Sequence, residues 1–234
     1  MRIWDINPGY LNRQSLLGEH RELHGIVSII VNGKKGYSKH PETIRWAGYG
    51  WALRIRHQLL SAEMSLRNFT DKSPVLTRTK KGVWPKEYIN EPDQQFKILE
   101  AKYQNKKQGR IPLPKNAQQL WSQHKYSALA RDVNLYNKIG QKVSTMPPTH
   151  DFSLLSKVLT ELLRKQPSLG GIRNALQHMW GYISDCSSIS KRDFETWSLD
   201  RLLNEIQRGV LTIKEPYLMS STALSELKVW IKNA

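Results

Sequence analysis

Few residues in this sequence can do covalent chemistry unaided, and the first of them is Met1. An α-amine titrates at about 7.7–8.0, where a lysine side chain titrates at about 10.4. A useful fraction is therefore free base near neutral pH, and nearby cations such as Arg2 and Arg21 favour that nucleophilic form further. The bulky Arg2 disfavours removal of the initiator methionine, so the amine is expected on Met1 itself. Other chemical signatures are missing. The chain has no glycine-rich phosphate loop, no cysteine pair at zinc spacing and no His-Glu-x-x-His. Its seven histidines are dispersed, so neither a metal ligand nor a cofactor is assigned. The lone Cys186 forms no internal disulfide and reads as a small buried apolar residue in a reducing, cytoplasmic setting.

Charge narrows the partner. Lys and Arg number 36 against 20 acidic residues, a net of +16, and residues 1–114 hold 20 of the 36 basic and 10 of the 20 acidic groups. Such an excess attracts polyanions, nucleic acid first among them, with an anionic membrane surface as the alternative. No apolar run approaches the roughly 18–20 residues that span a bilayer, and the opening residues lack a signal peptide's apolar stretch. No membrane partner is expected.

The elements that must position these groups read as helices throughout, an all-α chain in two domains, 1–112 and 117–234. Leu16, Leu23, Ile26 and Ile30 recur at helical spacing over 11–31, and Asn32-Gly33-Lys34-Lys35-Gly36 ends that run as a basic turn. A second helix is expected over 42–68, a basic loop with Pro74, Pro85 and Pro92 over 70–92, and a short helix near 93–106. Pro112 and Pro114 mark residues 110–116 as a linker. Beyond it, helices are expected at 117–140, 151–166, 171–184, 190–208 and 221–232, with Gly140, Gly170, Gly171 and Gly209 at their ends as caps.

The opening Arg2-Ile3, Gln14, the run Arg21-Glu22-Leu23, Asn32-Gly33-Lys34, the Pro41 loop and the helix after Ala47-Gly48 occur in a particular order and spacing. In these features residues 1–110 resemble the pyrimidine dimer DNA glycosylase family, the phage-type endonuclease V enzymes, most closely up to about residue 69. The resemblance implies a glycosylase and abasic-site lyase acting on ultraviolet-induced pyrimidine dimers in double-stranded DNA. It implies an N-terminal α-amine as Schiff-base nucleophile, which falls on Met1 when Arg2 and Arg21 are both matched, and Glu22 as acid/base with Arg21 beside it. It also implies DNA contacts by Arg2, Gln14, Lys34, Lys35 and Lys39. Ser15 and Gly25 stand where the family carries a histidine and an arginine. A glycosylase must expose its target nucleotide, and Tyr37, Trp46, Tyr49, Trp51 and Trp84 are candidates to fill the gap, with core packing as their competing role.

Residues 119–234 resemble a bacterial helical domain of unknown function. The matching stretches are Gln123-His124-Lys125-Tyr126, Asn174-x-x-x-His178-x-x-Gly181-Tyr182, and Arg208-Gly209 with Pro216. Asn174 and His178 share a helix face, and with His124 they form a possible second site for a nucleobase or a repair-protein partner. Mutually satisfied helix-packing groups are the alternative. For the chain as a whole, two other functions stay open: a non-catalytic basic nucleic-acid-binding protein, and a Schiff-base enzyme acting on abasic sites or other lesions.

Overall fold

A computed structural model describes residues 1–186 and 189–233; the side chain of Cys186, and with it the reading of that residue as buried, lies outside the described residues. Among them the fold is all-α, with no strand. The chain divides into two compact units, 1–109 and 110–234.

In the first unit, α1 (Arg13–Asn32) begins at Asn12, whose side chain accepts from Ser15 N–H, and ends at Gly33 with φ 59°. That left-handed cap suits glycine, which has no Cβ to clash. The expected long second helix is broken in two, α2 (Pro41–Trp46) and α3 (Gly50–Leu66). Gly48, at φ 81°, makes the break. Pro92–Lys102 forms α4, and the segment between α3 and α4 is irregular, as its prolines imply. α1 packs on α3 and α2, with Leu16, Leu23 and Ile26 of α1 and Leu53, Ile55 and Leu60 of α3 all buried. At about 25 cal/mol per Å2 of apolar surface, each such side chain contributes roughly 1.5–3 kcal/mol to this core.

The second unit holds α5 (Ala117–Leu129), α6 (Val133–Ser144), α7 (Ser153–Leu163), α8 (Leu169–Trp180), α9 (Lys191–Thr196), α10 (Leu199–Ile213), α11 (Pro216–Met219) and α12 (Ala223–Lys232). α5 is central, packing on α6, α7, α8 and α12. Two expected helices are each split by a fresh N-cap, Asp132 before α6 and Ser198 before α10. A side chain that accepts the orphan N–H groups of a new first turn competes with continuing the old helix.

The expected glycine caps are corrected. Gly140 and Gly209 lie inside α6 and α10, and Gly170 and Gly171 lie in the first turn of α8. Close packing accounts for two of them: a Cβ on Gly171 would sit 2.1 Å from the Ala130 carbonyl oxygen, and one on Gly209 would sit 2.8 Å from Ile183 Cδ1. Residues 110–116, expected to be extended, form no helix and are held along their length. Ile111 is buried, Gln123 donates to the Pro112 carbonyl at 2.9 Å, and Arg110 donates to the Ser221 carbonyl at 3.1 Å.

Candidate active site

Residues 2–6 precede any helix and have no strand to pair with, yet a buried backbone N–H needs an acceptor. Side chains from three helices provide them. Arg2 N–H donates to Glu22 Oε2 of α1 at 2.5 Å, and Ile3 N–H to Glu42 Oε1 of α2 at 3.1 Å. Trp4 N–H donates to Glu19 Oε1 of α1 at 3.1 Å, and Asp5 N–H to Gln95 Oε1 of α4 at 2.8 Å. Termini usually fray; this one is tied down residue by residue.

The acceptors are themselves held. Arg56 of α3 reaches both oxygens of Glu19, at 2.7 and 2.9 Å, and donates to the Ile6 carbonyl. Burial pushes the Glu19 carboxyl up to about 7, with the Arg56 guanidinium pulling the other way. Glu42 accepts from Arg45 and from the Trp46 indole, each at 3.2 Å. Burial also raises its carboxyl, opposed by Arg45. Arg45 bridges onward to Asp5.

This lattice delivers Met1 to a defined place. Its nitrogen lies 3.4 Å from His40 Nε2. His40 is the N-cap of α2, and its Nδ1 accepts from Glu42 N–H at 3.2 Å. That bond assigns the neutral ring's proton to Nε2, the nitrogen facing the amine. Met1 and Glu22 are therefore brought to one place, Glu22 bonded to the residue adjacent to the amine. Arg2 points its guanidinium to Asn90 Oδ1 at 2.6 Å and over Trp4.

Apart from Arg2, the expected DNA contacts spread over one helix and its following turn. Gln14 and Arg21 are exposed on α1, and Lys34, Lys35 and Lys39 are exposed in the turn beyond it. Tyr37, in the same turn, is 71% exposed at φ 58°, a conformation uncommon for a non-glycine residue. The tryptophans differ. Trp46 and Trp51 are buried, and Trp84 packs edge-on to both. Tyr49 lies beneath Lys80.

Sequence reading passed over His40, Glu19, Glu42 and Gln95, the residues that seat the terminus. It also passed over a cluster in the first unit: His20 and His24 of α1, His57 of α3 and Asp71. The spacing of four between His20 and His24 was the available signal. Burial lowers His57 to about 4, and burial together with His20 lowers His24. Against its own burial, Asp71 is held below the usual carboxylate range by Ser73 N–H and the Ser61 hydroxyl.

In the second unit His124 is buried on α5, with Nδ1 2.9 Å from the Leu120 carbonyl. Burial lowers it to about 4. Asn174 is half-buried and His178 exposed on α8. The quoted sequence stretches meet elsewhere, in an aromatic group. Tyr182 stacks on Tyr217 at 5.1 Å, Tyr126 meets both edge-on, and Lys125 lies over Tyr126 and Tyr217.

The site is thus that of a basic, all-α protein whose first nitrogen lies beside His40 and whose next N–H is held by the Glu22 carboxylate. Residues 1–77 match the family described as pyrimidine dimer DNA glycosylase, and residues 125–226 match a family described as protein of unknown function (DUF1722). The two matches fall on the two segments for which the sequence shows a resemblance. No curated protein and no solved structure matches it. No helix among the described residues is long and apolar enough to cross a membrane.

Proposed function

We propose that the first unit is a DNA glycosylase and abasic-site lyase that acts on pyrimidine dimers in duplex DNA through the Met1 amine. The observation that carries this is the seating of the terminus: Arg2 N–H on Glu22 Oε2 and the amine nitrogen beside His40 Nε2. The family match over 1–77 supports the substrate class.

In this reading the free-base amine attacks C1′ of the damaged nucleotide. The C1′–N bond to the base breaks, the base leaves with the electron pair, and it takes up a proton. The C1′–O4′ bond then breaks as one proton passes from the attacking nitrogen to O4′, giving the protonated C1′ imine, whose positive charge acidifies the C2′–H. Glu22 stabilises the cationic sugar in the first step and accepts the C2′ proton in the second, as the C3′–O bond breaks and the phosphate departs. His40 holds the amine through its Nε2–H, an interaction that needs the amine lone pair. Arg21, Gln14, Lys34, Lys35 and Lys39 bind backbone phosphates and the lesion flank, giving affinity without sequence preference. Tyr37 fills the gap left by the extruded nucleotide, since Trp46 and Trp51 are committed to the core.

The test is reductive trapping. Untagged protein is incubated with irradiated, abasic or intact duplex and a mild hydride reductant, and the adduct is located by mass spectrometry. A covalent adduct on Met1 with irradiated duplex is the expected result. No adduct with either damaged duplex overturns the enzyme, and adduct with abasic duplex alone restricts it to the lyase. Intact mass must show Met1 retained, and a Gly-Ser extension before Met1 must abolish trapping. An extended protein that still forms adduct assigns the nucleophile to a lysine instead.

A further inference from the structure

Three of the seven histidines, 37 residues apart at their extremes, meet within the first unit. His20 and His24 stand one turn apart on the same face of α1, His57 faces them from α3, and Asp71 closes the group from the segment after α3. The ring centroids form a near-equilateral triangle with sides of 4.7, 4.9 and 5.1 Å.

As a set of hydrogen bonds the group does not balance. His57 Nε2 lies 3.1 Å from His24 Nε2 and 3.3 Å from Asp71 Oδ2. A ring nitrogen carries one proton or one lone pair, so it serves only one of them. His20 Nε2 is buried without a hydrogen-bond partner, although Asp71 Oδ1 is 3.3 Å away, outside good alignment. Four potential ligand atoms are thus turned toward one small volume.

We propose that His20, His24, His57 and Asp71 bind one zinc-class divalent ion, a structural centre that ties α1 to α3 and to the segment beyond it. Zinc takes imidazole nitrogen at about 2.0–2.1 Å and carboxylate oxygen at about 2.0–2.2 Å, which puts tetrahedral ligand atoms about 3.4 Å apart. His57 Nε2 lies 3.1 Å from His24 Nε2, His20 and His57 each lie 3.3 Å from one of the two Asp71 oxygens, and one donor atom from each of the four residues lies within 4.8 Å of the others. Three imidazoles and one carboxylate suit zinc and its transition-metal neighbours, whereas calcium and magnesium take oxygen donors. Four protein ligands fill a tetrahedron and leave no open position for substrate, which makes the ion structural. The outer layer is built as well. Ser61 Oγ–H donates to Asp71 Oδ2 at 2.7 Å and Ser73 N–H to Oδ1 at 2.9 Å, fixing the carboxylate as second-layer groups do at zinc centres.

The proposal does not depend on the glycosylase reading, because its test never involves DNA. Untagged full-length protein is stripped with chelator and titrated with Zn2+ against a chromophoric competitor, and its melting temperature is followed. One tightly held zinc per chain is expected, together with a higher melting temperature. Cobalt(II) substitution should give the intense visible bands of four-coordinate cobalt. The double variant His20→Ala/His24→Ala, checked for native helical circular dichroism, should lose both the bound zinc and the zinc-dependent melting shift. A His178→Ala variant should keep both. Ser61→Ala keeps every ligand and should bind zinc roughly ten- to a hundredfold more weakly; it decides the matter if the double variant fails to fold. Folded wild-type protein that holds no zinc, or that binds it as tightly in Ser61→Ala and in the double variant, overturns the site. The pale spectrum of six-coordinate cobalt overturns the closed four-ligand centre.

Discussion

Glu22 accepts the backbone N–H of the residue that follows Met1, and under the proposed function its substitution separates binding from chemistry. Glu22→Gln keeps the shape and the acceptor for Arg2 N–H but removes the charge and the proton-accepting capacity. Single-turnover base release is expected to fall about 10²–10⁴-fold, while affinity for damaged duplex by fluorescence anisotropy stays within a few-fold; unimpaired release would remove Glu22 from the mechanism. Gly25 offers a second probe. It lies one turn beyond Arg21 on α1, and a Cβ built there meets nothing within 4 Å. Gly25→Arg should therefore stabilise α1 by about 1 kcal/mol in denaturant melts and tighten DNA binding. Unchanged affinity would place this face of the helix away from DNA.

At the scale of elements, glycine has two distinct roles in this fold. Gly33 permits a left-handed cap, whereas Gly171 permits an approach between backbones. Gly171→Ala forces its Cβ against the Ala130 carbonyl oxygen, a backbone atom that cannot swing aside, and is expected to cost about 1–3 kcal/mol. Gly140→Ala has the opposite sign. Its Cβ would make ordinary contact with the Trp121 ring at 3.7 Å, inside α6, and the gain in helix propensity is about 0.5–1 kcal/mol. Thermal melts of the two variants check the contrast, and a stabilising Gly171→Ala would contradict the close approach of α8 to residue 130.

For the whole molecule, charge and burial set the response to solution conditions. A net charge of +16 predicts DNA affinity that falls steeply with salt. Lys34→Gln/Lys35→Gln should reduce the slope of log K against log salt by about 2, roughly one per lost phosphate contact. An unchanged slope would exclude the turn after α1 from the interface. His124 contributes one acid-sensitive part of the stability. Its folded value of about 4 lies below the ordinary 6.5, so between these values the unfolded chain binds the extra proton. The contribution of His124 is therefore fully present above about pH 6.5 and is lost as the pH falls toward 4, by about 3 kcal/mol. His124→Leu should flatten that part of the denaturant-stability profile. A variant as acid-sensitive as the parent would assign the loss to other groups.

The sequence by itself determined the helical class, through apolar residues at helical spacing such as Leu16, Leu23 and Ile26, and the two-segment character, through motifs that are local in the chain. It also pointed to Met1, Glu22 and a basic partner surface, because residue type, order and net charge are readable without coordinates. The tertiary structure alone decided what depends on distant residues meeting. Glu19, Glu42 and Gln95 look like ordinary polar helix positions until residues 2–6 are laid across them and need acceptors. His40 looks like a turn residue until Met1 reaches its Nε2. The breaks after Trp46 and Leu129 were hidden because helix periodicity carries across a short interruption, whereas a left-handed glycine or a new N-cap acts on only one residue. His57 and Asp71 join His20 and His24 only when α3 packs on α1. Period and composition report on neighbours along the chain; a site assembled from four elements is set by packing, which they do not encode.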